Sequence, residues 1–284
     1  MAIFELALAT GIIVAILAFF GEFIDSTLGM GYGTTLTPVL MIFGFEPLQI
    51  VPAVLLSELI TGLLAGFTHH SLGNVNFRPK TMNIFRIITG LRIYGIQESW
   101  KIGIPLPLKV ALLLALCSVV GTVAAVLIAV NIPKFYLSLY IGMLILVIGV
   151  VILATMHKHY GFSWKKITAL GTIAAFNKGM SGGGYGPVVT GGQLLSGVDG
   201  KNAIGITSLA EGLTCVVGVI VFFITGGAAD WKLAPYLIIG AVLSVPLSAI
   251  CVKKMNTSKL KIIIGVATVA LGLFALGKVL WPLL

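Results

Sequence analysis

Three charged side chains lie in stretches of the sequence that are otherwise apolar. Glu58 and Glu211 each fall in the middle of a hydrophobic run, and Lys178 follows another such run. An acid in hydrocarbon either keeps its proton or finds a partner, and a lysine there is usually functional or paired. The two glutamates therefore suit proton binding and release in coupled transport, or else the capping of a broken helix without titration. Lys178 suits an anion site, or else an ion pair with Asp25.

Two glycine-rich runs, 29–33 and 182–186, are the second feature that could bind a solute. Irregular backbone at membrane depth must be buried in protein or line a cavity, because lipid cannot satisfy its N–H and C=O groups. A helix that restarts after such a run points free N–H groups and its positive dipole end at the run. Two such ends would form an anion site. Close helix packing through small residues is the alternative.

The glycine runs and the polar side chains next to them make up the candidate site. The candidate substrate-binding residues are Gly31, Tyr32, Gly33, Thr34, Thr35, Asn177, Lys178, Ser181, Gly183, Gly184, Tyr185 and Gly186. Asp25, Glu58 and Glu211 are the candidate proton-coupling or site-organising residues. Thr61 and Thr214 follow the two glutamates by three positions, so they lie on the same helical face.

The histidines do not predict a metal site. His69 with His70, and His157 with His159, have no cysteine or carboxylate at ligand spacing. Both pairs lie at a basic membrane edge, so we interpret them as surface residues. The sequence therefore predicts no bound metal.

The remaining reactive residues give no catalytic pattern. The sequence has no Ser/His/Asp set, no phosphate-binding loop with a following Lys-Ser and no zinc-protease helix motif. Cys117, Cys215 and Cys251 form no CxxC pair, and we expect them to pack as small apolar residues. Cys215 follows Glu211 by one turn and could instead line a solute pathway. We predict a protein that is not an enzyme and needs no cofactor.

The elements that position these residues must be membrane helices. Of 284 residues, 58% are hydrophobic and only 10% are charged, whereas soluble proteins carry about 25% charged residues. Apolar runs such as 105–130, 136–156 and 262–284 reach the ~20 residues that cross a bilayer as helix. The run 3–20 follows no Lys or Arg and ends at no clear cleavage site, so we expect it to belong to the mature protein. The fold class predicted is an all-α polytopic membrane protein.

The net charge of +9 does not indicate nucleic-acid binding. Most of the basic residues lie in three loops, as the positive-inside rule requires. These loops follow 48–67, 135–156 and 233–252, and counting crossings places all three on one side. We expect that side to be the cytoplasm of a prokaryotic cell and both termini to lie outside. The opposite loops are nearly neutral, with Glu46, Asp199, Lys201, Asp230 and Lys232 among them.

The sequence contains an internal repeat. Residues 21–66 align without a gap on 174–219, so each residue meets the one 153 positions later. The match joins Glu58 to Glu211 and the first glycine run to the second. Composition bias could match glycines and leucines, but hardly two lone intramembrane glutamates. We expect an N-terminal repeat at 1–156, carrying a basic insertion at 74–103, and a C-terminal repeat at 157–284.

Each repeat divides into five apolar segments. The first half has 3–24, 36–45, 48–67, 105–130 and 135–156, and the second has 167–176, 188–198, 203–225, 233–252 and 260–284. The second segment of each half is too short to cross a bilayer and follows a glycine run, so a broken helix or a re-entrant hairpin is predicted. An odd number of crossings per half inserts the second repeat upside down. Inverted repeats with interrupted helices are typical of secondary transporters that bind solute at the midplane.

The glycine motifs resemble those of a known family. The stretch 23–25 followed by 29–33 and Pro38 resembles the amino-terminal motif of the sulfite exporter TauE/SafE family, and 182–187 resembles its repeat. Further similar pieces are 73–75, 229–231 and 240–246, the last followed by Lys253 and Lys254. The resemblance covers nearly the whole chain except the insertion. Half two departs from the pattern of half one with Gly191 in place of Pro38 and Lys178 in place of Asp25.

The resemblance implies transport of small anions, commonly sulfite, thiosulfate or organic sulfonates and carboxylates, often coupled to protons. With the residue pattern, it predicts a secondary anion transporter whose partners are the anion, the lipid bilayer and protons. A passive channel with the same architecture is one alternative. A membrane subunit that delivers its solute to a cytoplasmic enzyme, with 74–103 as the docking surface, is another.

Overall fold

The computed structural model describes residues 8–33, 36, 39–40, 43, 45, 47–79, 103–129, 134–154, 161–181, 184–224 and 232–280. All regular structure in these residues is α-helical. The helices are α1 (Leu8–Leu28), α2 (Pro47–Ser71), α3 (Leu106–Ala129), α4 (Lys134–Ala154), α5 (Trp164–Ser181), α6 (Tyr185–Leu195), α7 (Gly200–Ile224), α8 (Ala234–Lys254) and α9 (Thr257–Leu280).

The helices have the length and surface of membrane spans. Within the described residues, α1, α2, α7, α8 and α9 each contain a stretch long and apolar enough to cross a bilayer. Their outer faces expose large apolar side chains, including Leu8, Phe67 and Ile224, whereas the interior holds buried polar and charged groups. This distribution is the reverse of that in a soluble protein, and it fits a protein whose outside faces lipid. The chain is an integral membrane protein.

Helices from equivalent places in the two predicted repeats pack in antiparallel pairs. Helix α2 packs on α7 and α4 packs on α9, and in each pair the helices occupy equivalent places in the two repeats. Along the first pair, Leu55 contacts Gly218 and Gly62 contacts Gly212, so α2 and α7 run in opposite directions. Contacts between α4 and α9 follow the same order. Two halves inserted in opposite orientations would require such antiparallel pairs. The orientation of each half in a bilayer stays a prediction.

Several helix termini lie close together at one end of the bundle. Lys201 Nζ donates a hydrogen bond to the carbonyl of Lys253 at 2.8 Å, and Lys166 Nζ donates to the carbonyl of Leu195 at 3.2 Å. The starts of α5 and α7 therefore lie beside the ends of α6 and α8. The prediction that Asp199 and Lys201 lie opposite the basic loops is wrong, because α5 and α6 together return the chain to the end at which α5 begins.

The two helices that lead into the glycine runs enter the bundle from opposite ends. Helix α1 runs parallel to α8, since Gly11 contacts Tyr236 and Gly240 contacts Ala15. It therefore runs toward the end where α8 stops, whereas α5 starts at that end and runs away from it. The glycine runs that follow both helices consequently meet inside the bundle.

Glycine allows the chain to break at these places. Gly29, Gly31 and Gly184 have φ angles of 71°, 119° and 77°, a region that side chains with a Cβ rarely adopt. After the second break, α6 has 11 residues, which span only about 16 Å. It is too short to cross the membrane, as the sequence predicts.

Several predicted residues lie outside the described part of the chain. Thr34, Thr35, Gly183 and the side chain of Ser181 are among them, together with residues 80–102 of the basic insertion. Their roles stay predictions.

Candidate functional site

A buried ion-pair network joins the two halves at the centre of the bundle. Lys178 Nζ, near the end of α5, lies 2.6 Å from Glu58 Oε2 of α2 and 2.6 Å from Glu211 Oε1 of α7. All three side chains are almost fully buried. The lysine thereby contacts one acid from each repeat. A single ammonium with three N–H groups can satisfy both carboxylates, and two opposite charges at this distance interact strongly in a low dielectric.

One of the alternatives that the sequence left open is wrong. The ion pairs that the structure describes for Lys178 are those with the glutamates, whereas Asp25 Oδ1 accepts a hydrogen bond from the Tyr32 backbone N–H at 3.4 Å. Capping of the restarted helices by the glutamates stays a prediction.

The glycine runs contact each other directly. A Cβ on Gly186 would lie 2.6 Å from the carbonyl oxygen of Gly29 and 2.7 Å from Met30 Cα, so the two backbones meet without room for a side chain. Thr190 Oγ1 of α6 donates to the same Gly29 carbonyl at 2.7 Å. Thr207 of α7 lies 2.9 Å from Thr190 and links this contact to the long helix. Close packing of the runs is therefore present, and their use as an anion site stays a prediction.

The two symmetry-related tyrosines face the long helices of their own halves. Tyr32 Oη lies 2.9 Å from Ser57 Oγ of α2, and Tyr185 Oη accepts from Thr214 Oγ1 of α7 at 3.4 Å. The Tyr185 ring is also 5.8 Å from Lys178 Nζ, within cation–π distance. Both tyrosines are fully buried, so they connect each glycine run to the helix that carries its glutamate.

Cys215 touches the network. Its Sγ lies 3.7 Å from Glu58 Oε2, the same oxygen that Lys178 contacts. The thiol is fully buried. It packs inside the protein as a small residue, as expected, and it also contacts a charged group.

Sequence reasoning missed Glu22, which belongs to the same interior. This residue lies on α1, one turn before Asp25 and Ser26, and its side chain is buried. Its Oε1 accepts from Ser26 Oγ at 2.5 Å, and its Oε2 lies 3.0 Å from Thr61 Oγ1 of α2. The signal available in the sequence was a fourth acid in the apolar runs, but it lacks a counterpart in the repeat, where Ala175 occupies the equivalent place.

The interpretation of His69 as a surface residue is wrong. Helix α2 extends to Ser71, beyond the predicted segment, and the following turn covers the ring completely. Asn74 Nδ2 donates to the Ala249 carbonyl at 2.8 Å and lies 3.0 Å from His69 Nδ1, so that nitrogen is the acceptor. The ring proton therefore belongs to Nε2, which donates to the Ser26 carbonyl at 2.9 Å.

Replacement of His69 tests this structural role. We expect His69→Leu to lower the free energy of unfolding by about 1–3 kcal/mol, because the Ser26 carbonyl loses its donor inside the protein. Thermal unfolding in detergent measures the effect. Ser71→Ala is the control, since its exposed hydroxyl bonds only the Phe67 carbonyl of its own helix. Equal midpoints for His69→Leu and the unchanged protein would contradict the assignment.

The candidate residues thus divide into two groups. Lys178 contacts Glu58 and Glu211 and lies 5.8 Å from the Tyr185 ring, whereas Asp25 bonds Tyr32 of the first glycine run. Asn177, one position before the lysine, is also buried. The charged members are at most 7% exposed. Among the described residues, these charged side chains therefore have almost no contact with the surface of the protein.

Comparison with known proteins agrees with the glycine motifs. A family model described as "Sulfite exporter TauE/SafE" matches residues 14–93 and 81–275. The chain is also similar to the "Probable membrane transporter protein YtnM" of Bacillus subtilis (strain 168), with 27% identity over 266 residues that cover 89% of this chain and 78% of the relative. No solved structure matches the chain.

Proposed function

Because the chain belongs to the sulfite exporter TauE/SafE family, we propose that it is a secondary transporter for a small anion. The family and the similar protein indicate a membrane transporter. The substrate class we propose is a sulfur oxyanion or an organic sulfonate or carboxylate. The proposed membrane is the prokaryotic plasma membrane, with the basic loops in the cytoplasm and both termini outside.

The observation that supports an anion is the buried position of Lys178. It is the one lysine or arginine that is buried among the described residues, and it lies where helices of both halves meet. A lysine at such a depth marks a substrate pathway more often than a purely structural pair. The Tyr185 backbone N–H at the start of α6 belongs to the same region, so a positive helix end adds to the ammonium charge.

The geometry also supports a proposed coupling of the anion to protons. Lys178 already contacts two carboxylates, so an entering anion would compete with them for the ammonium group. A displaced carboxylate that stays buried without a cation costs several kcal/mol. Proton binding to one of the buried acids offsets that charge, and therefore we expect anion and proton to bind together. Asp25 lies close enough to interact electrostatically with both glutamates and with Lys178. Its charge therefore also affects proton and anion binding in this cluster.

Flux measurements in proteoliposomes test the proposal. We expect the purified protein to move at least one of sulfite, thiosulfate, methanesulfonate and acetate above the rate of protein-free liposomes. We expect an inwardly directed proton gradient to accelerate uptake. A passive channel would show flux that ignores the proton gradient at constant voltage. Absence of flux for every anion tested would contradict anion transport and favour the role of a delivery subunit.

A further inference from the structure

We infer that Glu22 carries the coupling proton of the transport cycle. The inference rests on the proposed function and adds to it a residue that stands outside the lysine network. Glu22 comes from α1 of half one, and its side chain is 2% exposed. No repeat-related acid exists, because Ala175 takes its place in half two. A carboxyl group that only one half contains gives the two otherwise similar halves different chemistry.

Charge balance is the first argument. Four carboxyl groups, those of Glu22, Asp25, Glu58 and Glu211, share the described interior with the ammonium of Lys178. The ion pairs described for this lysine engage Glu58 and Glu211 and leave Glu22 without a basic partner there. An ionised carboxylate without a basic partner is strongly unfavourable in a low-dielectric interior. The neutral acid avoids that cost.

Hydrogen-bond counting is the second argument. The Thr61 hydroxyl lies 3.0 Å from Glu22 Oε2 and 3.0 Å from the Ser57 carbonyl oxygen one turn earlier. A hydroxyl has one proton and cannot donate to both acceptors. If Glu22 is protonated, it donates to Thr61 and Thr61 donates to the carbonyl, as helical threonines commonly do. Ser26 donates to the other carboxyl oxygen, so every oxygen has a partner.

The surrounding groups connect this proton to both glycine runs. The charged and titratable side chains close enough to interact electrostatically with Glu22 are Asp25 on its own helix, Tyr32, Glu58 and Glu211. Helix α8, which packs along α1, presents its Tyr236 to Gly11, about three turns away. Loss of the proton would add a negative charge beside the ion-pair network and weaken anion binding at Lys178. By thermodynamic reciprocity, a bound anion favours the proton on Glu22.

The variant that tests the inference is Glu22→Gln. Glutamine reproduces the hydrogen bonds of the protonated acid, since its carbonyl accepts from Ser26 and its N–H donates to Thr61. We therefore expect a thermal midpoint close to that of the unchanged protein. Asp199→Asn is the matched control, because it neutralises an exposed acid at the bundle end.

Two measurements distinguish a failure of the inference about Glu22 from a failure of the proposed function. The infrared carbonyl band of protonated carboxylic acids, recorded without any solute, should lose intensity in Glu22→Gln but not in Asp199→Asn. In liposomes with a thiosulfate gradient and an internal pH dye, Glu22→Gln should still move thiosulfate while the accompanying proton uptake falls to background. An unchanged band or an unchanged ratio of protons to thiosulfate overturns the inference. If the unchanged protein moves no anion, the proposed function fails, and the infrared band still decides whether Glu22 holds a proton.

Discussion

Transport by the Lys178→Met variant falls to the background of protein-free liposomes. The substitution removes the ammonium group that would attract the anion and leaves Glu58 and Glu211 as buried carboxylates that have lost their cation. Removal of one partner of a buried ion pair costs about 3–5 kcal/mol. The single variant can therefore lose activity through misfolding alone, and a second variant is needed to distinguish the causes.

The triple variant Lys178→Met, Glu58→Gln, Glu211→Gln provides that distinction. It removes all three charges together, and replacement of a complete buried network by neutral groups is often close to neutral for stability. We expect it to elute as a single species and to unfold near the midpoint of the unchanged protein, but to transport nothing. Lys254→Met is the control, because this exposed lysine ends α8 away from the network. Normal transport by the triple variant would show that Lys178 is purely structural.

The second large effect is expected at the contact between α2 and α7. A Cβ on Gly62 would lie 2.7 Å from the Gly212 nitrogen and 2.8 Å from the Ser208 carbonyl oxygen, both of them backbone atoms. No side chain can move aside to make room, so the helices must separate. Overpacking of this kind typically costs about 1–3 kcal/mol. We expect Gly62→Ala to lower the thermal midpoint and reduce transport, because separation of these helices also displaces the glutamates they carry.

Gly277→Ala is the matched control for this variant. Its position on α9 has nothing within 4 Å of an added Cβ. Alanine there gains helix propensity of up to about 1 kcal/mol relative to glycine. We expect its midpoint to stay equal or to rise slightly. Equal midpoints for Gly62→Ala and Gly277→Ala would contradict the close approach of α2 and α7.

The sequence was sufficient to predict the membrane fold and the participants of the ion-pair network, but not their pairing. Glu58, Glu211 and Lys178 stood out because a charge in an apolar run is rare. Which groups pair is a tertiary property, since 120 residues separate the lysine from Glu58. In the repeat alignment Asp25 occupies the position equivalent to Lys178, and this equivalence suggested that the two residues pair. In the structure Lys178 pairs with Glu58 and Glu211.

The predictions failed at two residues, Glu22 and His69, for separate physical reasons. The internal repeat does not single out Glu22, because this acid occurs in half one alone. His69 stands directly before a basic loop, where solvent contact is the ordinary expectation. Its burial depends on the turn through Asn74 and on a carbonyl of α8, neither of which local periodicity reveals.

Backbone meets backbone where the halves touch, at Gly62 with Gly212 and at Gly29 with Gly186. At these two points no side chain has to change rotamer for the backbones to shift against each other. In the proposed transporter, movement of one half against the other would also require Lys178 to part from Glu58. The charge and the solute at that bond would then govern how fast the halves move.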